Sequence, residues 1–210
     1  MAERMEHKEA IDGLENARSY ALSIGKYAGL MYGNMIKNIE GLNISGRYLE
    51  MGSGPGFLAM MIARRKPDSE ITAVDISPDM IAVAEEFIRE KQLEKRIHCL
   101  PGDVGDEQFM RKLGTFALVY TTFSLHHWKD PDVSIRNLWD AVQPGGALYI
   151  LDFRRIEWLC SLPVKWGELD SFRAAYSAQE IEAIFRRTGI TSFQIRTSFP
   201  YFLQTVIARK

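Results

Sequence analysis

Short apolar runs alternate with amphipathic stretches between residue 45 and residue 151. A short run of apolar and β-branched side chains predicts a buried strand, and apolar positions at helical spacing predict the helix that follows it. The predicted strands begin near Tyr48, Ile71, Ile97, Thr115 and Ala147. Strands that alternate with helices in this way form right-handed βαβ units, so the pattern predicts an α/β fold with a parallel sheet.

The pattern is different at the end of the chain. A helix predicted over residues 177–188 is followed by two β-rich runs, 191–197 and 201–208, with only a short connection between them. Too few residues are available for a crossover helix, so these two runs must pair antiparallel. Together with the parallel core, they predict a three-layer sandwich around a seven-stranded, mostly parallel sheet with one antiparallel strand.

A glycine-rich turn is the first candidate for chemistry. Gly52, Gly54 and Gly56 stand between the first predicted strand and the helix that begins near Phe57. Glycine allows backbone N–H groups to approach a nucleotide-like ligand, because no Cβ is in the way. A dinucleotide-binding turn would require a further glycine at the position of Phe57, so the motif argues against NAD.

Acidic residues end the next two predicted strands. Asp75 ends the second strand, where a carboxylate can accept both hydroxyls of a ribose. Asp103 follows the third strand and can face the exocyclic amine of an adenine, while the N–H of Val104 can reach a ring nitrogen. Ser77 and Pro78 have the residue types of an N-cap and a first helical position, and they predict a helix start.

These motifs, in this order, resemble those of the class I S-adenosylmethionine-dependent methyltransferases. The segments 121–128 and 143–146 also resemble that family, and within it the small-molecule group related to the quinone-biosynthesis C-methyltransferases is most similar. The resemblance implies methyl transfer from S-adenosyl-L-methionine to a small, apolar or aromatic acceptor. The expected cofactor-binding residues are Glu50, Gly52, Ser53, Gly54, Gly56, Asp75, Ile76, Met80, Asp103, Val104, Thr121, Ser124 and His127.

Two adjacent histidines follow the predicted fourth strand. His127 matches a position that small-molecule methyltransferases often fill with histidine, so the resemblance implies a role in supporting the cofactor pocket. His126 is the candidate for a substrate contact or a catalytic general base, because imidazole is the usual base near neutral pH. No metal site is predicted, since neighbouring side chains point in divergent directions and no carboxylate pattern accompanies them.

The sequence suggests two segments that could cover the methyl group. Residues 1–44 are interpreted as an N-terminal helical cap, because apolar residues recur every four positions near Met35. Residues 156–176 are interpreted as a substrate lid because they include Trp158 and Trp166. Whether the aromatic residues of the second segment belong to a lid or to the core stays open.

The 210 residues fit one domain, with residues 45–155 as the cofactor-binding core and 177–210 as a helix and hairpin. A net charge of −1 gives no basic footprint, so nucleic acid is not the expected partner. The spacing of the two cysteines predicts free thiols, and the absence of a leader or a membrane span predicts a cytoplasmic protein. The oligomeric state stays open. Two alternatives also stay open: another S-adenosyl-dependent transfer, and a regulatory module that binds the cofactor without chemistry.

Overall fold

The computed structural model describes residues 11–156, 160, 167–198 and 201–210. The strands are β1 (Arg47–Met51), β2 (Glu70–Asp75), β3 (Ile97–Pro101), β4 (Phe116–Thr122), β5 (Val142–Phe153), β6 (Phe193–Ser198) and β7 (Leu203–Arg209). The helices of the described ranges are α1 (Leu14–Gly25), α2 (Ala28–Gly41), α3 (Phe57–Arg65), α4 (Pro78–Glu90), α5 (Glu107–Leu113), α6 (Pro131–Asp140), α7 (Gly167–Ala174) and α8 (Ala178–Arg187). A 3₁₀ turn at Leu125–His127 follows β4.

The strands form one seven-stranded sheet in the order β3-β2-β1-β4-β5-β7-β6. Neighbouring strands are parallel except around β7, which runs antiparallel to both β5 and β6. The predicted fold class is therefore confirmed. β1 lies between β2 and β4, so the strand order reverses there, and open α/β sheets bind their ligands at the carboxyl edge beside such a reversal.

Helices cover both faces of the sheet and create two apolar cores. On one face α2, α3 and α4 pack against the sheet through buried side chains such as Ile36 and Leu58. On the other face α5, α6 and α8 pack through side chains such as Leu138 and Phe185. Burial of both faces explains why the central strands are apolar at nearly every position.

The predicted start of β5 is wrong. The strand begins at Val142, shortly after α6, instead of at Ala147. The Pro-Gly-Gly sequence therefore lies inside the strand, at a point where its pairing with β4 shifts register. A Cβ at Gly146 would lie 2.6 Å from the carbonyl oxygen of Ala117, so glycine permits this close approach of the two backbones.

The N-terminal segment folds as two helices on the face that carries α3 and α4. Residues 1–10 of the predicted cap lie outside the described residues. α1 packs on α4, where Ala17 and Ala21 contact Met80. α2 lies further along the same face and buries its apolar side against the sheet.

Candidate active site

A cleft of about 380 Å³ opens where the loops after β1, β2, β3 and β4 meet. It is lined by Met51, Gly52, Asp75, Ile76, Gly102, Asp103, Val104, Gly105, Ser124, His127, Trp128, Lys129, Asp130, Val133 and Ser134. Among the residues predicted to bind the cofactor, those in this lining are Gly52, Asp75, Ile76, Asp103, Val104, Ser124 and His127. We call it the cofactor cleft. Four separate strand ends contribute to it, as the order of the motifs predicts.

The glycine turn shapes one wall of the cofactor cleft. Gly52, Gly54 and Gly56 have φ angles of 71°, 50° and 75°, a region in which other residues cost roughly 1–2 kcal/mol. The N–H of Gly52 donates to the carbonyl oxygen of Val74 at 2.8 Å, which ties the turn to β2. A Cβ at Gly52 would lie 2.1 Å from Oγ of Ser124. Glycine is therefore required here both for the backbone conformation and for the close approach of the two loops.

Asp75 joins the end of β2 to the glycine turn. One carboxylate oxygen accepts the N–H of Gly54 at 2.7 Å, and the other accepts the N–H of Ser77 at 3.0 Å. Burial raises the pKa of the Asp75 carboxyl, and the N–H groups of Ser77 and Gly54 oppose that rise. Each oxygen retains room for a second hydrogen bond, so Asp75 can accept ligand hydroxyls while it holds the turn.

The loop after β3 carries the predicted adenine contacts. One carboxylate oxygen of Asp103 accepts the N–H of Gly105 at 2.7 Å, which fixes the side chain in the cleft wall. Val104 is buried, and its carbonyl oxygen accepts a hydrogen bond from Nδ2 of Asn137 at 2.7 Å. Asn137 lies on α6, so this helix holds the loop in place.

Glu50 lies beneath the glycine turn and is only 1% exposed. Its Oε2 accepts a hydrogen bond from the hydroxyl of Tyr120 at 3.2 Å. Burial raises the pKa of Glu50 to about 8; the Tyr120 hydroxyl opposes the rise, and the charge of Asp75 adds to it. A buried carboxyl that titrates near neutral pH is typical of functional sites, because a nearby ligand charge can change its protonation.

The two adjacent histidines take different positions. His127 lines the cofactor cleft, whereas the side chain of His126 is buried against β5. Asp152, near the end of β5, contacts His126 twice. Oδ2 accepts the backbone N–H of His126 at 3.0 Å, and Oδ1 lies 2.7 Å from Nδ1. A carboxylate at Nδ1 favours the tautomer with its proton on that nitrogen, which leaves Nε2 as the basic one.

A second cavity, of about 510 Å³, lies between α2 and the sheet near the end of β5. We call it the apolar cavity; it is lined by Gly29, Leu30, Met31, Gly33, Asn34, Met35, Lys37, Asn38, Phe123, Tyr149, Leu151, Phe153, Phe202, Leu203 and Thr205. The Phe153 ring centroid is 5.4 Å from that of His126 and 5.0 Å from that of Phe123. Phe123 immediately precedes Ser124 of the cofactor cleft, so the two cavities meet at this point in the chain.

Phe123 has an unusual backbone. Its φ angle is 51°, in the left-handed region that few non-glycine residues adopt. Its N–H donates to the carbonyl oxygen of Leu151 at 2.9 Å, which holds the strained residue to β5. Strain of this kind is found where the surrounding structure fixes a residue at a functional position.

Residues 49–146 match a protein-family model described as a methyltransferase domain. This part of the chain is similar to a methyltransferase domain. The resemblance to the class I methyltransferases, with quinone-biosynthesis enzymes among the similar proteins, is confirmed.

Two curated relatives illustrate the range of sequences that are similar to this chain. The chain is 31% identical to the demethylmenaquinone methyltransferase of Thermus thermophilus, over 51% of this chain and 47% of that protein. It is 30% identical to the ubiquinone biosynthesis O-methyltransferase of Xanthomonas axonopodis, over 58% of this chain and 49% of that protein. The chain spans about half the length of these two curated relatives.

Solved structures share the fold of the whole chain. A putative S-adenosyl-L-methionine-dependent methyltransferase from Methanococcus maripaludis has a TM-score of 0.77 and 21% identity, over 98% of this chain and 97% of that one. Human N-acetylserotonin methyltransferase, solved with S-adenosylmethionine, has a TM-score of 0.73 and 16% identity, over 94% of this chain and 56% of that one. The expected cofactor, S-adenosyl-L-methionine, is therefore the ligand of a solved protein with the same fold.

The glycine turn carries unsatisfied polar groups that fit this cofactor. The hydroxyl oxygens of Ser53 and Thr121 are buried and have no hydrogen-bond partner among the residues that the structure describes. Both lie at the glycine turn, where a Cβ at Gly52 would be 3.9 Å from Oγ1 of Thr121. Buried hydroxyls without partners are rare, so a polar ligand over the turn accounts for them. The residues present therefore fit S-adenosyl-L-methionine.

Some residues predicted to touch the cofactor are not among those that line the cofactor cleft. The side chain of Met80 is buried against Ala17 and Ala21 of α1. Nothing in the sequence indicates that α1 covers this part of α4. Glu50 and Thr121 are buried at the glycine turn and do not line the cleft.

The predicted lid is described only in part. Trp158 and Trp166 lie outside the described residues. The end of the segment is helical, because α7 spans residues 167–174. The Phe172 ring centroid is 4.6 Å from that of Phe153, so α7 packs on the aromatic residues beside the apolar cavity.

Sequence reasoning missed Asp152 and Tyr120, the partners of His126 and Glu50. Asp152 directly follows the predicted fifth strand, so the rule that identified Asp75 could have found it. Tyr120 carried no such signal, because an apolar strand commonly contains tyrosine. Within the described residues, no group of three or more His, Cys, Asp or Glu side chains could hold a metal ion. No helix of the described part is long and apolar enough to cross a membrane.

Proposed function

We propose that this chain transfers the methyl group of S-adenosyl-L-methionine to a protic oxygen of a small, apolar acceptor. The observation that supports this proposal most strongly is the buried pair of His126 and Asp152 between the cofactor cleft and the apolar cavity. A histidine oriented by a carboxylate is the usual arrangement of a general base. Such a base serves an acceptor that loses a proton on methylation.

The residues of the cofactor cleft bind and orient. Asp75 would accept ribose hydroxyls, and Asp103 with the backbone of Val104 would contact the adenine. Glu50 would attract the cationic methionine end from beneath the turn, and the hydroxyls of Ser53 and Thr121 would bind its polar groups. When bound, S-adenosyl-L-methionine supplies a methyl group that its positive sulfur already activates.

The remaining chemistry is alignment and proton removal. The acceptor oxygen would give its proton to Nε2 of His126 as it forms a bond to the methyl carbon, and the bond from carbon to sulfur would break to leave S-adenosylhomocysteine. Asp152 would stabilise the imidazolium that results. Alignment of the two reactants in a site without water can contribute about 7–11 kcal/mol, so the chain needs no nucleophilic side chain of its own.

The acceptor would enter through the apolar cavity. Phe153 belongs to its lining, and the centroid of the Phe153 ring is 5.4 Å from that of His126, so an apolar body in the cavity would bring its reactive group towards the imidazole. The names of the curated relatives include a ubiquinone/menaquinone biosynthesis C-methyltransferase and a ubiquinone biosynthesis O-methyltransferase. We propose the oxygen chemistry because a hydroxyl can give its proton directly to an adjacent base.

Two measurements test the proposal. Calorimetry should detect binding of S-adenosylmethionine or S-adenosylhomocysteine and none of NAD. Formation of S-adenosylhomocysteine should then be measured with a panel of phenols, catechols and hydroquinones. Product from a phenol that is lost on His126→Gln supports the proposal. Binding of NAD alone would overturn the cofactor assignment, and turnover that is unchanged in His126→Gln would overturn the role of the base.

A further inference from the structure

The apolar cavity continues into a second depression along the same helix. This depression, of about 730 Å³, lies between the end of α2 and the β6–β7 hairpin, and we call it the basic groove. Lys37, Asn38 and Thr205 line both, so the cavity and the groove are adjacent. The combined depression begins at Phe153, near the proposed base, and ends at Arg209, at the opposite edge of the sheet.

Side-chain chemistry changes along this path on both walls. On β7 the side chains that face it run from Leu203 through Thr205 to Arg209. On α2 they run from Gly29 through Gly33 to Lys37, spaced four residues apart on one helix face. Each wall is therefore small or apolar near the active site and cationic at the far end. Eight residues of helix between Gly29 and Lys37 correspond to about 12 Å.

The charge in the basic groove is unbalanced. Its lining contains Lys37, Arg196 and Arg209 but no carboxylate. Among the described residues these three cations make no ion pair. The nearest acid on the helix, Glu40, is paired with Arg65 at 3.6 Å. In a chain with a net charge of −1, three unpaired cations along one depression form a site for an anion.

The glycines of α2 make room for the apolar part. A Cβ at either Gly29 or Gly33 would meet no atom within 4 Å. Glycine inside a helix costs roughly 0.5–1 kcal/mol relative to alanine, and no neighbouring atom requires it at these positions. The cost is explained if the space beside these residues is needed by a ligand. The Asn38 side-chain amide donates a hydrogen bond to the Tyr149 hydroxyl at 3.1 Å, and these two polar groups lie at the boundary with the basic groove.

We propose that the acceptor is an elongated amphiphile: its reactive end lies beside His126, its apolar chain fills the cavity, and a carboxylate or phosphate at its far end binds Lys37, Arg196 and Arg209. This inference rests on the proposed function, because it names the class of molecule that the same site takes. It goes beyond that function in assigning an anionic group and the residues that recognise it.

Calorimetry on the full chain tests the inference with decanoate, decyl phosphate and decyltrimethylammonium as probes, each below its micelle concentration. The anions should bind at least ten-fold more tightly than the ammonium, and the better anion identifies the carboxylate or the phosphate source. Substitution of Lys37, Arg196 and Arg209 by glutamine should weaken anion binding ten-fold or more. A matched control that changes Arg89 and Lys95 to glutamine should leave it unchanged.

A second pair of variants tests the cavity. Gly33→Leu should abolish binding of the anions, because its side chain occupies the open space, whereas Gly33→Ala should retain binding. Both should unfold at or above the temperature of the unmodified protein, since each is a better helix former than glycine. Equal affinity for anion and ammonium, or binding unaffected by Gly33→Leu, would overturn the inference.

Cofactor binding separates this inference from the proposed function. All of these variants should bind S-adenosylmethionine as the unmodified chain does. If the cofactor binds and the decyl anions do not, the amphiphile is wrong and the proposed function stands. If the anions bind and the cofactor does not, the amphiphile site stands, and the proposed function is wrong together with the ligand's role as methyl acceptor. Binding to anionic phosphatidylglycerol vesicles without binding of the monomeric probes would assign the cations to a membrane surface and overturn the inference.

Discussion

The cofactor cleft and the apolar cavity meet at the loop after β4, yet they are built in different ways. The cofactor cleft is made of loops at successive strand ends, and its ligand groups are backbone atoms and short polar side chains. The apolar cavity is made of one flank of α2 and parts of β5 and β7, which lie more than a hundred residues apart in sequence. The ligand groups of the cofactor cleft are therefore largely fixed by the fold, whereas the shape of the apolar cavity can change through single side chains.

This difference indicates how the chain can keep one cofactor and vary its acceptor. In the cofactor cleft, each residue has a second structural task, as when Asp75 holds the turn through Gly54. In the apolar cavity, Gly29 and Gly33 contact nothing that a larger side chain would displace. Substitutions should therefore be disruptive in the first region and selective in the second.

The largest effect is expected at the boundary between the two regions. His126→Gln should lower turnover roughly 10²–10⁴-fold, the usual contribution of a general base. The dissociation constant of S-adenosylmethionine should change little, because His126 does not line the cofactor cleft. Steady-state kinetics and calorimetry check the two parts. A loss of cofactor binding equal to the loss of turnover would instead assign His126 to the cofactor cleft.

Glu50→Gln should change stability in a pH-dependent way. The carboxyl has a pKa of about 8 when folded, against an ordinary value of 4.5, so the folded state retains a proton that the unfolded state loses between these values. The stability that Glu50 contributes is therefore fully present below pH 4.5 and is lost as the pH rises to about 8. Urea unfolding should show Glu50→Gln more stable than the unmodified chain at pH 8, and less clearly so at pH 5. Glu94→Gln is the exposed control, and a difference independent of pH would contradict the prediction.

Asp75→Ala should weaken binding of S-adenosylmethionine about ten-fold or more, because hydrogen bonds to a charged group contribute roughly 1.5–3 kcal/mol. Part of this loss should come from the turn, since Gly54 and Ser77 lose their acceptor. Calorimetry with Asp68→Ala as the control measures the effect. An unchanged dissociation constant would remove Asp75 from the cofactor site.

The smallest effect is expected at Gly54, whose φ is 50° and whose Cβ position is open. Gly54→Ala should destabilise the turn by about 1–2 kcal/mol through backbone conformation alone. Gly54→Asn should cost less, because asparagine tolerates the left-handed region. Thermal unfolding of both variants checks this order. Equal effects would mean that a steric contact, not conformation, governs the position.

The same contrast explains what the sequence could predict. Gly52, Asp75 and Asp103 were found because each lies at a strand end, and parallel strands bring their carboxyl ends to one edge. Local signals therefore located the cofactor cleft. The seven-stranded sheet followed from the alternation of elements and from the short connection before Tyr201.

The acceptor side has no such local signal. The apolar cavity depends on how far α2 stands from β7, and neither Gly33 nor Leu203 indicates that distance in the sequence. The burial of Met80 has no local signal either, since it depends on the docking of α1. The predicted start of β5 was wrong because Pro-Gly-Gly usually ends a strand, and here the approach of Gly146 to Ala117 keeps it paired.

The position of β7 between β5 and β6 sets an order for assembly during synthesis. β6 leaves the ribosome before β7 but can join the sheet only through it, because β6 has no other neighbour. Until residues 203–209 are available, β5 therefore presents an unpaired edge over residues 147–153. Exposed strand edges invite pairing with other chains. The nascent protein should be most prone to aggregation in this interval, and Gln204, whose amide binds the carbonyl oxygens of Phe153 and Tyr176, helps to end it when β7 inserts.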